Sequence, residues 1–231
     1  KVDWEGTKHL GMDIVIDRQN RHVTLSMPGY VEKLLRKVRP EGIKGASTPS
    51  VYHAPNYKSP KAQTATVDAS PMATEAQQHE LQVVVGTLLY YARTVDPSIL
   101  TAVHELGSVQ AKPTAKDMIK LERLLQYVST HQRGATRYYA SSMQLQVQSD
   151  ASYLCRPKAR SVLGGYHYLG FLDRNNGPIF CTSKMISCVV SSVAEAELGA
   201  AFQNGQKAAE FRNTLHELGY PQEATTIMID N

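Results

Sequence analysis

The chain has 231 residues, 42% of them hydrophobic and 20% charged, with a formal net charge of +4. That composition suits one large folded domain or two modest ones and excludes a disordered or collagen-like chain. The longest apolar stretch, Val83 to Ala92, is about half of the ~20 residues that cross a bilayer, so no membrane partner is expected. Three cysteines, Cys155, Cys181 and Cys188, are too few and too odd in number for a disulfide framework and point to a reducing, intracellular compartment. The opening Lys1-Val2-Asp3-Trp4 carries neither an initiator Met nor a secretion signal, which reads as a piece of something longer.

Charge is unevenly shared. Residues 1–140 hold 18 basic and 13 acidic side chains, residues 141–231 hold 7 and 8. A basic front half and a near-neutral back half predict two modules, 1–140 and 141–231. In the first, residues 9–27 predict a hairpin: Leu10, Met12, Ile14 and Ile16 alternate, Arg18-Gln19-Asn20-Arg21 turns, and Val23 and Leu25 resume the period of two. After Pro28 a short amphipathic helix places Tyr30, Leu34 and Val38 along one face. Five prolines between residues 40 and 73 mark a linker or wrapping arm. Three helices follow, over 74–95, from Asp96-Pro97 to Lys112-Pro113, and from a Thr114 cap. The last has Met118, Leu121, Leu125 and Val128 as its buried stripe. On its outer surface Lys116, Lys120 and Arg123 share a face at i, i+4 and i+7, either as a solvated surface or as phosphate contacts.

The back half changes character. Met143, Leu145 and Val147 alternate with glutamines in a strand that is expected to end at Asp150; further strands are predicted over 161–170 and 178–184. A Ser192/Glu195 capping box starts a long helix over 193–218, and a final strand covers 225–230. The order β-β-β-α-β requires the last strand to run parallel to the one it joins. If the strands ending at Asp150 and Asp230 are neighbours, their carboxylates lie about 5 Å apart at the sheet edge where open α/β sheets bind ligands. Two such carboxylates repel unless a cation or shared proton neutralises them, and magnesium is the natural choice. Glu195 has its capping task. Glu197 lies roughly 200° around the helix, on a stripe of Ala194, Glu197, Ala201, Asn204, Ala208, Phe211, Leu215 and Leu218. A carboxylate on so apolar a stripe needs a partner, so Glu197 is the expected third ligand. Singly, each acid also reads as a turn residue or a favourable dipole charge.

At these residues the sequence resembles the polymerase region of copia-type long-terminal-repeat retrotransposons. The likeness rests on Ser149-Asp150-Ala151-Ser152-Tyr153, Leu163-Gly164-Gly165-Tyr166, Ile179-Phe180-Cys181-Thr182-Ser183-Lys184, Ser191-Ser192-Val193-Ala194-Glu195-Ala196-Glu197-Leu198 and Asp230-Asn231. Further forward, His9-Leu10-Gly11-Met12, Leu25-Ser26-Met27-Pro28-Gly29-Tyr30, Val85-Gly86-Thr87-Leu88-Leu89-Tyr90-Tyr91 and Asp96-Pro97-Ser98-Ile99 agree as well.

The resemblance implies an α/β chain, α+β overall. Residues 1–140 would be the end of the reverse transcriptase palm with thumb and connection, and 141–231 a ribonuclease H-like domain truncated at its C-terminus. Asp150, Glu197 and Asp230 would be catalytic and would hold two Mg²⁺ ions, with Mn²⁺ as the alternative. The partner would be an RNA–DNA hybrid or template-primer duplex, with Lys116, Lys120 and Arg123 on its phosphates. Upstream polymerase residues, including the family's paired aspartates, and a downstream fourth acidic ligand would belong to the same polyprotein, in the cytoplasm, a virus-like particle or the nucleus. Two competing readings are a non-catalytic nucleic-acid-binding remnant and another metal-dependent phosphodiester chemistry. Cys181 and Cys188, seven apart with no His at ligand spacing, do not suggest zinc. His167 is expected to be structural, and Gly164-Gly165 to mark a bulge or close backbone approach.

Overall fold

A computed structural model describes residues 3–51, 67–171 and 175–230. These divide into two compact units, one of residues 3–17, 23–51 and 68–136, the other of 18–22, 67, 137–171 and 175–230.

The first unit begins with three strands, β1 (Lys8–His9), β2 (Met12–Asp17) and β3 (His22–Ser26), the β2–β3 pair being the expected hairpin. Gly29, at φ 74, turns the chain into α1 (Tyr30–Val38). Its buried face is Val31, Leu34 and Leu35, not Tyr30, Leu34 and Val38. Tyr30 stands at the first residue, half-buried and stacked on Tyr91 at 5.9 Å, and Val38 is the last residue, where the helix leaves its support. Helix α2 (Glu75–Thr94) starts from a reciprocal capping box between Thr74 and Gln77 and buries Leu81, Val84, Val85, Leu88, Tyr91 and Ala92. Asp96 caps a 3-10 turn at Pro97–Ile99 that leads into α3 (Leu100–Val109).

Helix α4 (Ala115–Thr130) is capped by Thr114 with Asp117 and buries Leu121, Leu124, Leu125 and Val128. Leu124 takes the place expected of Met118, which is only half-buried. Arg39 joins three elements, donating to Glu80 of α2 at 2.5 Å and to Glu122 of α4 at 2.6 Å. The middle of the Pro-rich arm, residues 52–66, lies outside the described residues. Its end is tied to α4: Ala115 N–H donates to the Pro71 carbonyl at 2.8 Å, and Asp68 accepts from the Thr114 hydroxyl.

Strand β4 (Ala135–Tyr139) spans the boundary between the units. The second unit is a four-stranded mixed sheet with one helix on it. Strands β5 (Leu145–Arg156), β6 (Arg160–Leu169) and β7 (Pro178–Met185) are an antiparallel meander. Helix α5 (Val193–Glu217) follows, then β8 (Ile227–Met228). The sheet order is β7-β6-β5-β8, and β8 runs parallel to β5 with Val147 opposite Ile227 and Gln148 opposite Met228. This is the α+β class and the β-β-β-α-β order of a ribonuclease H-like sheet. Two apolar clusters hold helix to sheet, Leu163, Ile186, Val190, Ala196 and Ala200 at one end, and Leu145, Val147, Ala208 and Leu215 at the other.

Three details differ from expectation. β5 does not end at Asp150 but continues to Arg156, because Ala151 and Ser152 still pair with Leu163 and Val162 of β6. The hairpin closes at Lys158 and Ala159, both at positive φ (62 and 52), a turn that lacks the usual Gly or Asn. β8 is two residues long, shorter than 225–230. The buried stripe of α5 is Ala196, Glu197, Ala200, Asn204, Ala208 and Leu215, so Ala194 and Leu218 are exposed where burial was expected.

Candidate metal centre

Asp150 sits within β5, opposite Gly164 of β6. Asp230 lies two residues beyond β8, and the parallel register of Val147 with Ile227 and Gln148 with Met228 carries forward to the level of Asp150. Glu197 enters from the second turn of α5. Placing the first two side by side needs the parallel β5–β8 pair; adding the third needs α5 to lie on the sheet near that edge. One carboxylate oxygen from each of Asp150, Glu197 and Asp230 lies within 4.8 Å of the others. Two oxygens that share a cation at 2.0–2.6 Å each can be no more than about 4–5 Å apart, so the cluster has the dimensions of a common coordination sphere.

The environments of the three differ. Asp150 and Asp230 are exposed, Glu197 is 5% exposed. Glu197 Oε1 accepts the Ala151 N–H at 3.1 Å. Its Oε2 is buried and has no hydrogen-bond partner among the described residues. Burial, with the nearby charges of Asp150 and Asp230 adding to it against the Ala151 hydrogen bond, pushes the Glu197 carboxyl above its ordinary pKa. A buried oxygen without a donor is costly, and a hard divalent cation held by oxygen ligands supplies what the protein does not. The donor set therefore fits Mg²⁺ or Mn²⁺.

Glu195 is placed otherwise. Its carboxylate accepts the Ser191 N–H at 2.6 Å and hydroxyl at 2.7 Å, and its own N–H donates to Ser192 Oγ at 3.1 Å. The Ser191 hydrogen bonds hold it below the usual glutamate range. Two glutamates two residues apart thus divide the work, one closing the helix end and the other joining the aspartates.

The cations of α4 are half-exposed or more but engaged within the first unit. Lys116 lies 3.6 Å from Asp68, and Lys120 lies 2.8 Å from Glu105 and 3.5 Å from Asp117. Arg123 donates to the Thr48 carbonyl at 3.0 Å and hydroxyl at 2.8 Å. The Cys181 thiol is pushed up to about 11 by burial, so it is a poor nucleophile.

The sequence reading left Ser149 and Ala151 without a role of their own, read Gly164-Gly165 as a bulge or close backbone approach, and left Asn204 as an unexplained polar member of the helix stripe. In the structure they surround the acids. Asn204, 1% exposed, donates from Nδ2 to Ser149 Oγ and to the Gly164 carbonyl, each at 2.9 Å. The Gly164-Gly165 pair marks close approach rather than a bulge, since β5–β6 register is unbroken from Leu145 to Ser152. A side chain at Gly165 would place its Cβ 2.8 Å from Asn204 Cγ and closer still to Oδ1.

A protein described as "Retrovirus-related Pol polyprotein from transposon TNT 1-94", from Nicotiana tabacum, is 26% identical to this chain over 222 residues. The match covers 96% of this chain and 16% of the relative, so the chain spans about a sixth of that polyprotein's length. No family model matches, and no solved structure matches. The match takes in the whole stretch over which the motifs already carry the likeness, so this chain is similar, over nearly its full length, to part of a transposon's retrovirus-related Pol polyprotein.

Proposed function

We propose that the second unit is the ribonuclease H portion of a retrotransposon polyprotein, and that in the intact polyprotein it hydrolyses the RNA strand of an RNA–DNA hybrid. The first unit is then the end of the reverse transcriptase, its thumb and connection. One observation supports this above the rest: the buried, unpartnered Glu197 Oε2 belongs to a carboxylate that meets Asp150 and Asp230 within 4.8 Å.

Asp150, Glu197 and Asp230 would hold two Mg²⁺ or Mn²⁺ ions, and the chemistry such ions would supply is activation of the attacking water and neutralisation of charge on the departing 3′ oxygen. The Ala151 N–H donates to one oxygen of Glu197 and so holds the carboxylate in place beside the aspartates, leaving the other oxygen without a protein partner among the described residues. The exposed edge at Asp150 and Asp230 leaves room for a phosphodiester. Lys116, Lys120 and Arg123 exchange their partners Asp68, Glu105, Asp117 and Thr48 for hybrid phosphates, which makes affinity salt-dependent and indifferent to sequence. Preference for the RNA strand rests on 2′-hydroxyls and helix shape.

The test is cleavage of labelled RNA in a hybrid by the purified polyprotein with and without Mg²⁺. Cleavage should require the metal, vanish in Asp150→Asn and Glu197→Gln, and persist in Glu195→Gln. Undiminished cleavage in either of the first two overturns the ligand assignment.

A further inference from the structure

Helix α5 touches β5 on both sides of Asp150. Seven residues separate Glu197 from Asn204, about two helical turns, so both side chains leave the same face. Glu197 Oε1 accepts the N–H of Ala151, the residue after Asp150; Asn204 Nδ2 donates to Ser149 Oγ, the residue before it. The same Nδ2 also reaches the carbonyl of Gly164, the cross-strand partner of Asp150. All three residues that frame this contact, Ser149, Asn204 and His167, are buried.

The amide's orientation follows from its partners. The Gly164 carbonyl can only accept, so Nδ2 faces it and Oδ1 faces His167 Nε2, 3.2 Å away. His167 must then carry its proton on Nε2. Burial holds the imidazole below its ordinary pKa and so keeps it neutral. Every polar atom of Asn204 is thus committed, and the space it occupies exists only because residue 165 has no Cβ. Alanine in place of Asn204 would leave Ser149 Oγ, the Gly164 carbonyl and His167 Nε2 each short of a partner, Ser149 and His167 in a buried site.

We propose that Asn204 is a positioning residue for the metal centre: by clamping α5 to Ser149 and Gly164 at the depth Gly165 permits, it sets where Glu197 meets Asp150. The clamp rests on the metal-binding reading above for its purpose, but its geometry does not. Groups that orient metal ligands from behind commonly change metal affinity by about 10–100-fold when removed.

The test compares Asn204→Ala with Leu215→Ala, a core truncation of the same helix far from the acids, at a temperature where both variants are folded. Two quantities are read on the 231-residue chain: Mn²⁺ affinity, and hydrogen-exchange protection of the Ala151 amide in the metal-free protein. Asn204→Ala should weaken Mn²⁺ binding about tenfold or more and expose the Ala151 amide to exchange, whereas Leu215→Ala leaves both near the wild-type values. Gly165→Ala, which forces Asn204 out from the opposite side, should reproduce the loss, and in the Asn204→Ala background it should add little. Equal effects from Asn204→Ala and Leu215→Ala, or additive effects of the Gly165 and Asn204 substitutions, overturn the clamp. If the wild-type chain binds no Mn²⁺ yet Ala151 protection still depends on Asn204, the clamp stands and the nuclease reading fails.

Discussion

Among the described buried residues of the first unit, the polar or charged ones are Asp117 and Thr136, and Asp117 is part of a helix cap. The second unit buries Ser149, Ser161, His167, Ser183, Glu197 and Asn204. The helical core is aliphatic and aromatic, built from Leu81, Leu88, Tyr91, Ile99, Leu106, Leu121 and Leu125; its strongest charged contact, Arg39 with Glu80 and Glu122, stays partly solvated. The sheet unit accepts buried hydrogen-bonding groups on β5, β6 and β7 and on the helix that carries Glu197. Burying polar groups stabilises only when each is satisfied, and among its described residues the unit departs from that rule at Gln146 Oε1, Arg160 Nε, His167 Nδ1 and Glu197 Oε2, the last on the carboxylate that meets two aspartates. The contrast separates an apolar helical core from a sheet unit that buries polar groups beside a cluster of three acids.

The largest stability effect should come from the apolar core. Leu121→Ala removes a fully buried side chain of α4, and denaturant unfolding should show a loss of about 2–5 kcal/mol. A loss near zero would mean that this core is not packed as described. A smaller effect, opposite in sign, should come from the centre of the other unit. In the metal-free chain the Glu197 pKa is raised, so the folded state holds that proton more tightly than the unfolded chain does. Stability therefore rises as pH falls through the raised pKa toward the ordinary glutamate value, and the penalty of the charged form is fully present above it. Glu197→Gln should be more stable than wild type near neutral pH and should lack that component of the pH profile. A variant less stable at neutral pH would contradict the unpaired carboxylate.

The smallest effect should lie at the tie between the arm and α4. Hydrogen bonds from Thr114 and Ser70, with Lys116 close by, lower the Asp68 pKa to about 2. Its contribution is present above the ordinary aspartate value and is lost as pH falls toward about 2. Asp68→Asn should lower neutral-pH stability slightly, since solvent screens much of the carboxylate's contribution, and flatten the acid limb of the profile. An unaltered acid limb would place the carboxylate in solvent.

Much of the second unit was legible because its signals are local. Alternation in 143–148, the capping residues before α5 and the β-β-β-α-β order together predict a parallel β5–β8 pair, and from that pair Asp150 and Asp230 become neighbours. Glu197 could be preferred over Glu195 because Ser192 already claims the latter's turn. What escaped was set by tertiary contact. The strand runs past Asp150 because β6 continues to pair with it, and Lys158-Ala159 closes the hairpin without a turn residue that sequence could announce. The buried stripe of α5 is shifted to include Ala196 and Ala200, whose small side chains sit under Leu163 and Ile186. Asn204 stood out on the stripe, but its purpose needed Gly165 opposite it. In the first unit, Leu124 rather than Met118 completes the α4 face, a choice made by neighbouring helices rather than by spacing.

The most direct measurement is the anomalous signal from crystals of the chain grown with Mn²⁺. The account predicts at least one Mn²⁺ bound by oxygens of Asp150, Glu197 and Asp230, with Glu197 Oε2 among its ligands and Glu195 still on Ser191. Mn²⁺ bound elsewhere only, or a Glu197 carboxylate turned away from an occupied site, would contradict it.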